Sequence, residues 1–105
     1  NHIAAINRFK TVVDIYSKTS HLPEALARLT ELYFMLGLYD QAKVYASVLG
    51  HNYPNNKWYI YSYSLFKEKK SNLLSANNND VDTKDSNKLL NILNNFINLF
   101  DIEEL

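Results

Sequence analysis

Cysteine is absent from these 105 residues. That excludes a disulfide framework, a thiolate metal site and a thiol nucleophile. Glycine and proline occur only twice each. An all-β chain needs turn residues every ~8–12 positions, so their scarcity points to helices. No apolar run approaches the roughly 18 residues of a membrane span. The opening, Asn1-His2-Ile3-Ala4-Ala5, has no basic stretch followed by an apolar one, and no signal peptide is expected. It starts inside a helical pattern without Met, which reads as a fragment of something longer. There is no Gly-rich phosphate loop, no Ser beside a His–Asp pair and no acidic metal loop. No catalytic residue, cofactor or metal is therefore expected.

Charge is balanced overall but unevenly spread. Residues 1–70 carry nine Lys/Arg against five Asp/Glu, a net +4, and residues 71–105 carry two against six, a net −4. Neither half forms the dense basic stripe that phosphate binding requires, so nucleic acid is not an expected partner. His2, His21 and His51 lie near expected helix ends, and no two have the i, i+4 spacing of a helical zinc site.

What is present is helical periodicity. Ile6, Phe9, Val12, Val13 and Tyr16 mark a helix over about 3–16. After the polar stretch 17–21, Pro23 suits the first turn of a second helix, with Leu26, Leu29, Leu32, Tyr33 and Leu36 on one face. Gly37 closes it in the left-handed conformation that glycine tolerates. Asp40 opens a third helix with a stripe of Ala42, Tyr45, Ala46 and Leu49, stopped by Gly50 and Pro54. A fourth, about 56–70, carries Trp58, Tyr59, Tyr61, Leu65 and Phe66 and ends in lysines. Residues 71–86, with Asn77-Asn78-Asn79-Asp80, read as a mobile polar linker. Periodicity returns over 87–105 as an amphipathic helix. Asparagine is a poor helix former, so this helix must depend on packing.

The first 56 residues echo themselves at an offset of 37: Ala5 answers to Ala42, Phe9 to Ala46, Val12 to Leu49 and Tyr16 to Tyr53. Pro23 to Asn56 make one unit of 34 residues, the length of a tetratricopeptide (TPR) repeat. Leu26, Leu29, Tyr33, Gly37, Tyr39, Ala42 and Pro54 fall on the positions that repeat marks. Thr30 departs from it, standing where a small residue is usual, and so does Ala46, which replaces a bulky aromatic. The expected architecture is an all-α, TPR-like superhelix of antiparallel helix pairs. Its parts are 1–22 (second helix of a truncated repeat), 23–56 (one full repeat), 57–70 (the following helix), linker 71–86 and C-terminal helix 87–105.

The run Ala4-Ala5-Ile6-Asn7-Arg8-Phe9, then Val12-Val13-Asp14 with Tyr16, resembles the late repeats of the BamD family. These are the TPR lipoproteins of the outer-membrane β-barrel assembly machinery. Pro23-Glu24-Ala25-Leu26, Leu36-Gly37-Leu38 and Val48-Leu49-Gly50-His51-Asn52-Tyr53-Pro54 before Trp58-Tyr59 extend the likeness over roughly residues 3–66. Ser17 stands where the family usually has proline. The resemblance implies the C-terminal part of a protein-binding scaffold on the periplasmic side of the outer membrane. Its lipid anchor would be in an N-terminal region absent from this sequence. The implied partners are a POTRA domain of BamA and the other BAM lipoproteins, with no membrane span in these residues.

Candidate partner-binding residues follow. The resemblance places Asn7 and Arg8 on the helix that faces BamA, with Arg8 opposite Phe9 and Val13. Glu31 shares a face with Glu24 and Arg28, either as a groove contact or as a solvated ion-pair ladder. Phe34 and Met35 lie off the buried stripe, either in the concave groove or against a neighbouring repeat. An alternative function is a generic TPR adaptor that captures another protein or peptide in its groove. A third is an enzyme subunit in which the repeats are only structural. The tail stripe of Leu90, Leu93, Ile97 and Phe100 is expected to cover repeat helices left open at Ile6, Phe9 and Val13. It would do so within its own chain or swapped into a second copy.

Overall fold

A computed structural model describes residues 1–15, 17–75 and 83–102. Tyr16, the Asn-rich centre of the expected linker (76–82) and the last residues of the tail segment (103–105) lie outside the described residues. Five α-helices run in chain order: α1 His2–Ile15, α2 Leu22–Met35, α3 Tyr39–Asn52, α4 Lys57–Ser75 and α5 Thr83–Phe100. No strand occurs among the described residues.

Local chemistry sets the helix ends. The Asn1 side-chain carbonyl accepts the Ile3 amide at 2.9 Å, which satisfies a donor of the first turn of α1. The Asn56 side chain does the same for the Trp58 amide at 2.8 Å at the start of α4. Pro23 lies in the first turn of α2, where its missing N–H leaves no bond unmade. At the other end Gly37 has φ +76°. Its amide donates to the Phe34 carbonyl at 3.0 Å, and the Leu38 amide donates to the Tyr33 carbonyl at 2.9 Å. This crossed pair of bonds is a Schellman turn.

Two expected boundaries differ from the structure. Gly50 does not stop α3, which continues to Asn52 and still closes a 2.7 Å bond from the Tyr53 amide to the Leu49 carbonyl. Pro54 ends it, because a residue before proline is driven out of the helical region. Tyr53 accordingly has φ −136° and ψ 54°. The expected linker is helical at both ends: α4 passes Lys70 to reach Ser75, and α5 begins at Thr83. These added turns are largely exposed, and they extend helices that are anchored by buried aromatics further along, Tyr63 and Phe66 in α4 and Phe96 in α5.

The chain divides into two compact units, residues 1–62 and 63–105, with the division inside α4. In the first, α2 packs on both α1 and α3. Ala25, Leu26, Ala27, Leu29 and Tyr33 of α2 are buried, as are Ala42, Ala46 and Leu49 of α3 and Ile6 of α1. Thr30 is also fully buried, and its hydroxyl donates to the Leu26 carbonyl at 2.9 Å. The departure from a small residue is tolerated because the polar atom is satisfied within its own helix.

In the second unit the tail stripe meets α4 of its own chain. Phe96 stacks on Phe66 with ring centroids 4.0 Å apart, and Tyr63 lies 6.0 Å away. Leu93, Phe96 and Ile97 are buried, while Leu90 is only half-buried. Phe96 is thus the centre of this core. It supplies the packing that an asparagine-rich helix needs.

Gly37 tests the α2–α3 turn. A Cβ built there meets nothing within 4 Å, so the cost of substitution is backbone strain alone. Gly37→Val is expected to destabilise by about 1–2 kcal/mol and Gly37→Asn by clearly less, since Asn tolerates this conformation. Thermal melts measure both, and an unchanged melt for Gly37→Val would contradict the turn.

Candidate protein-interaction surface

Helical phase decides which side chains α1 and α2 leave outside. Asn7 and Arg8 are both exposed on α1. The Asn7 backbone carbonyl accepts the Thr11 hydroxyl at 3.0 Å, one turn on. Arg8 makes no ion pair among the described residues. Its guanidinium is a fixed cation carrying five donors, suited to pairing a carboxylate on another molecule.

A different side of α1 lines a groove with α2. Phe9 and Val12, both half-buried, join His21, Glu24 and Ala25 around about 420 Å³. Apolar atoms form its floor, and His21 and Glu24 its polar edge.

The two residues at the end of α2 have separate surroundings. Phe34 is half-buried, its ring edge-on to Tyr39 at 5.0 Å and 85°. Met35 is 64% exposed, and the turn beyond it exposes Leu36 and Leu38 as well. Sequence reasoning did not single out these two leucines as surface residues. Leu36 had been placed on the buried face; it keeps the helical phase, its amide donating to the Leu32 carbonyl at 3.1 Å, but it is 39% exposed at the end of the helix.

Glu31 sits in a network. Its carboxylate accepts Arg28 Nη1 at 3.3 Å and the hydroxyl of Tyr61 from α4. Arg28 also reaches Glu24 at 3.7 Å and lies over the Trp58 ring, 5.0 Å from its centroid. Trp58 in turn meets Tyr61 edge-on at 6.2 Å. The ladder along α2 is therefore also a clasp between α2 and the start of α4. Glu31, 28% exposed at its side chain, already has two partners in its own chain.

A second polar cluster ties α1 to α2 and α3. Tyr33 and Tyr45 stack at 5.7 Å with 4° between their planes, and the Lys10 ammonium lies 6.0 Å from the Tyr33 ring centroid. A hydrogen bond to Tyr33, with electrostatic attraction to the hydroxyls of Tyr33 and Tyr45, holds the Lys10 pKa above the ordinary 10.5. Burial raises that of Tyr45 above 10.0, against the pull of Lys10. Among the described residues no cluster of His, Cys, Asp and Glu could hold a metal ion. No described helix is long and apolar enough to cross a membrane.

Short helices paired through small residues, a Schellman turn and a 34-residue unit define an all-α repeat protein of the TPR type. Residues 1–49 match the family YfiO, outer membrane lipoprotein. The chain is 63% identical over 67 residues to the outer membrane protein assembly factor BamD of Rickettsia prowazekii (strain Madrid E). That match covers 64% of this chain and 27% of the relative. It is 47% identical over 66 residues to the BamD of Caulobacter vibrioides, covering 63% of this chain and 22% of the relative. These similarities bear out the resemblance to the BamD family. The chain spans about a quarter of the length of the curated relatives it matches. No solved structure matches it.

The clasp gives a graded expectation for stability. Glu31→Ala leaves Arg28 and Tyr61 without their shared acceptor and is expected to lose about 1–2 kcal/mol. Glu24→Ala breaks only an exposed i, i+4 pair and should lose no more than about 0.5 kcal/mol. Denaturant melts of the two variants check the order, and equal losses would show that the Tyr61 link contributes nothing.

Proposed function

We propose that this chain is part of a non-catalytic, protein-binding scaffold in outer-membrane protein assembly. In this reading it docks onto the periplasmic region of BamA, at a POTRA domain, at the periplasmic side of the outer membrane. Lipid anchoring and contact with the other lipoproteins of the complex belong to the same reading. The similarity to BamD-type assembly factors supports it. The observation within this chain that carries it is Arg8, an exposed arginine with no ion pair of its own among the described residues.

Asn7 and Arg8 present the polar contact, and Met35, with Phe34 braced behind it on Tyr39, presents an adaptable apolar one. Glu31 acts from inside its clasp, holding α2 and the start of α4 in register. An interfacial arginine that pairs a carboxylate contributes about 2 kcal/mol or more to binding. Arg8→Glu is therefore expected to weaken binding to the periplasmic part of BamA by about thirtyfold or more. Its helical circular dichroism should stay that of the wild type. Calorimetric titration reads the affinity. Equal affinity of mutant and wild type removes Arg8 from the surface, and no binding by either overturns the reading.

A further inference from the structure

The edge of α1 that carries Asn7 continues into a second cleft. Asn7, Lys10 and Asp14 stand at i, i+3 and i+7, so they form one row along the helix, and all three are exposed. Lys10, Val13 and Asp14 line about 310 Å³ together with Tyr45 of α3. Neither Lys10 nor Asp14 makes an ion pair among the described residues. The Lys10 ammonium is held instead by Tyr33, whose ring stacks on that of Tyr45. A side chain already placed in this way gives up little rotamer freedom when a partner arrives. Asp14 follows one turn on, about 6 Å along the axis.

We propose that this cleft selects a partner segment carrying one carboxylate and one arginine about 6 Å apart. The carboxylate meets Lys10. The arginine meets Asp14, with its guanidinium plane laid on the Tyr45 ring. A segment of uniform sign is excluded, because it sets a like charge against one of the two residues. This inference rests on the docking proposed above and adds orientation to it. Lys10 and Asp14, in that order, distinguish the two directions in which such a segment can lie along α1.

Three variants of the 105-residue chain test it by calorimetric titration with the periplasmic part of BamA. Lys10→Asp, Asp14→Lys and the exchange of both charges in one chain should each lower affinity by about tenfold or more. Helical circular dichroism should stay unchanged. The exchanged chain keeps the net charge of the wild type, so its loss shows that the position of each charge is read. Asp14→Lys carries the test alone if Lys10→Asp, which leaves the tyrosine pair without its cation, fails to fold. Losses in the single variants that are restored in the exchanged chain overturn the cleft and leave the docking standing. Affinities all equal to that of the wild type do the same. A gain in either single variant shows that one sign alone is read, and overturns the pair. No binding by the wild type overturns the docking and the cleft with it.

Discussion

Ala42 and Ala46 place nothing larger than a methyl group between α3 and its neighbours, and both are fully buried. Ala25 and Ala27 of α2 are also small and buried, and Ala25 lines the groove shared with α1. Two helices joined by only three residues pack on each other, and small side chains let their backbones approach. Around this contact Leu26, Leu29 and Leu49 fill the remaining space, each worth about 1.5–3 kcal/mol when fully buried. α2 thereby becomes the helix on which the first unit depends. It packs on α1 and on α3, closes with the Gly37 turn, and reaches α4 through Glu31 and Tyr61. With one face committed to α3 and another to α1, Glu24, Arg28, Glu31, Phe34 and Met35 are left to the surface and the clasp.

The second unit solves a different problem. α5 is rich in asparagine, which does not favour a helix, yet it runs from Thr83 to Phe100. Phe96, fully buried and stacked on Phe66, with Tyr63 and Phe100 around it, supplies the burial that propensity does not. An aromatic cluster of this kind stabilises beyond the area it hides, by about 0.5–1.5 kcal/mol per pair. The tail is therefore ordered by contacts within its own unit.

Much of this was legible from periodicity. The stripe of Leu26, Leu29, Tyr33, Ala42 and Leu49 is a helical phase, and phase is a local property of sequence. Gly37 was legible because few residues other than glycine hold φ +76° without strain. Exposure of Asn7, Arg8 and Met35 follows from the same phase. The clasp was not legible, because Glu31 and Tyr61 are thirty residues apart. Nothing in the spacing of Glu24, Arg28 and Glu31 distinguishes a solvated ladder from one that also grips a neighbouring helix. Gly50 and the ends of α4 and α5 were misjudged for a related reason: a single-residue preference of about 1 kcal/mol or less gives way to the cooperativity of a helix that is already formed and packed along the rest of its length.

If α2 is the element on which the first unit depends, its backbone should be the last there to open. Native-state hydrogen exchange resolves this amide by amide. The amides of Leu29, Thr30 and Tyr33 should exchange slowest in residues 1–62, with a denaturant dependence equal to that of global unfolding. Those of α1, packed on one side, should exchange faster through a smaller opening. Amides in the middle of α2 that exchange as fast as those of α1 would contradict the account.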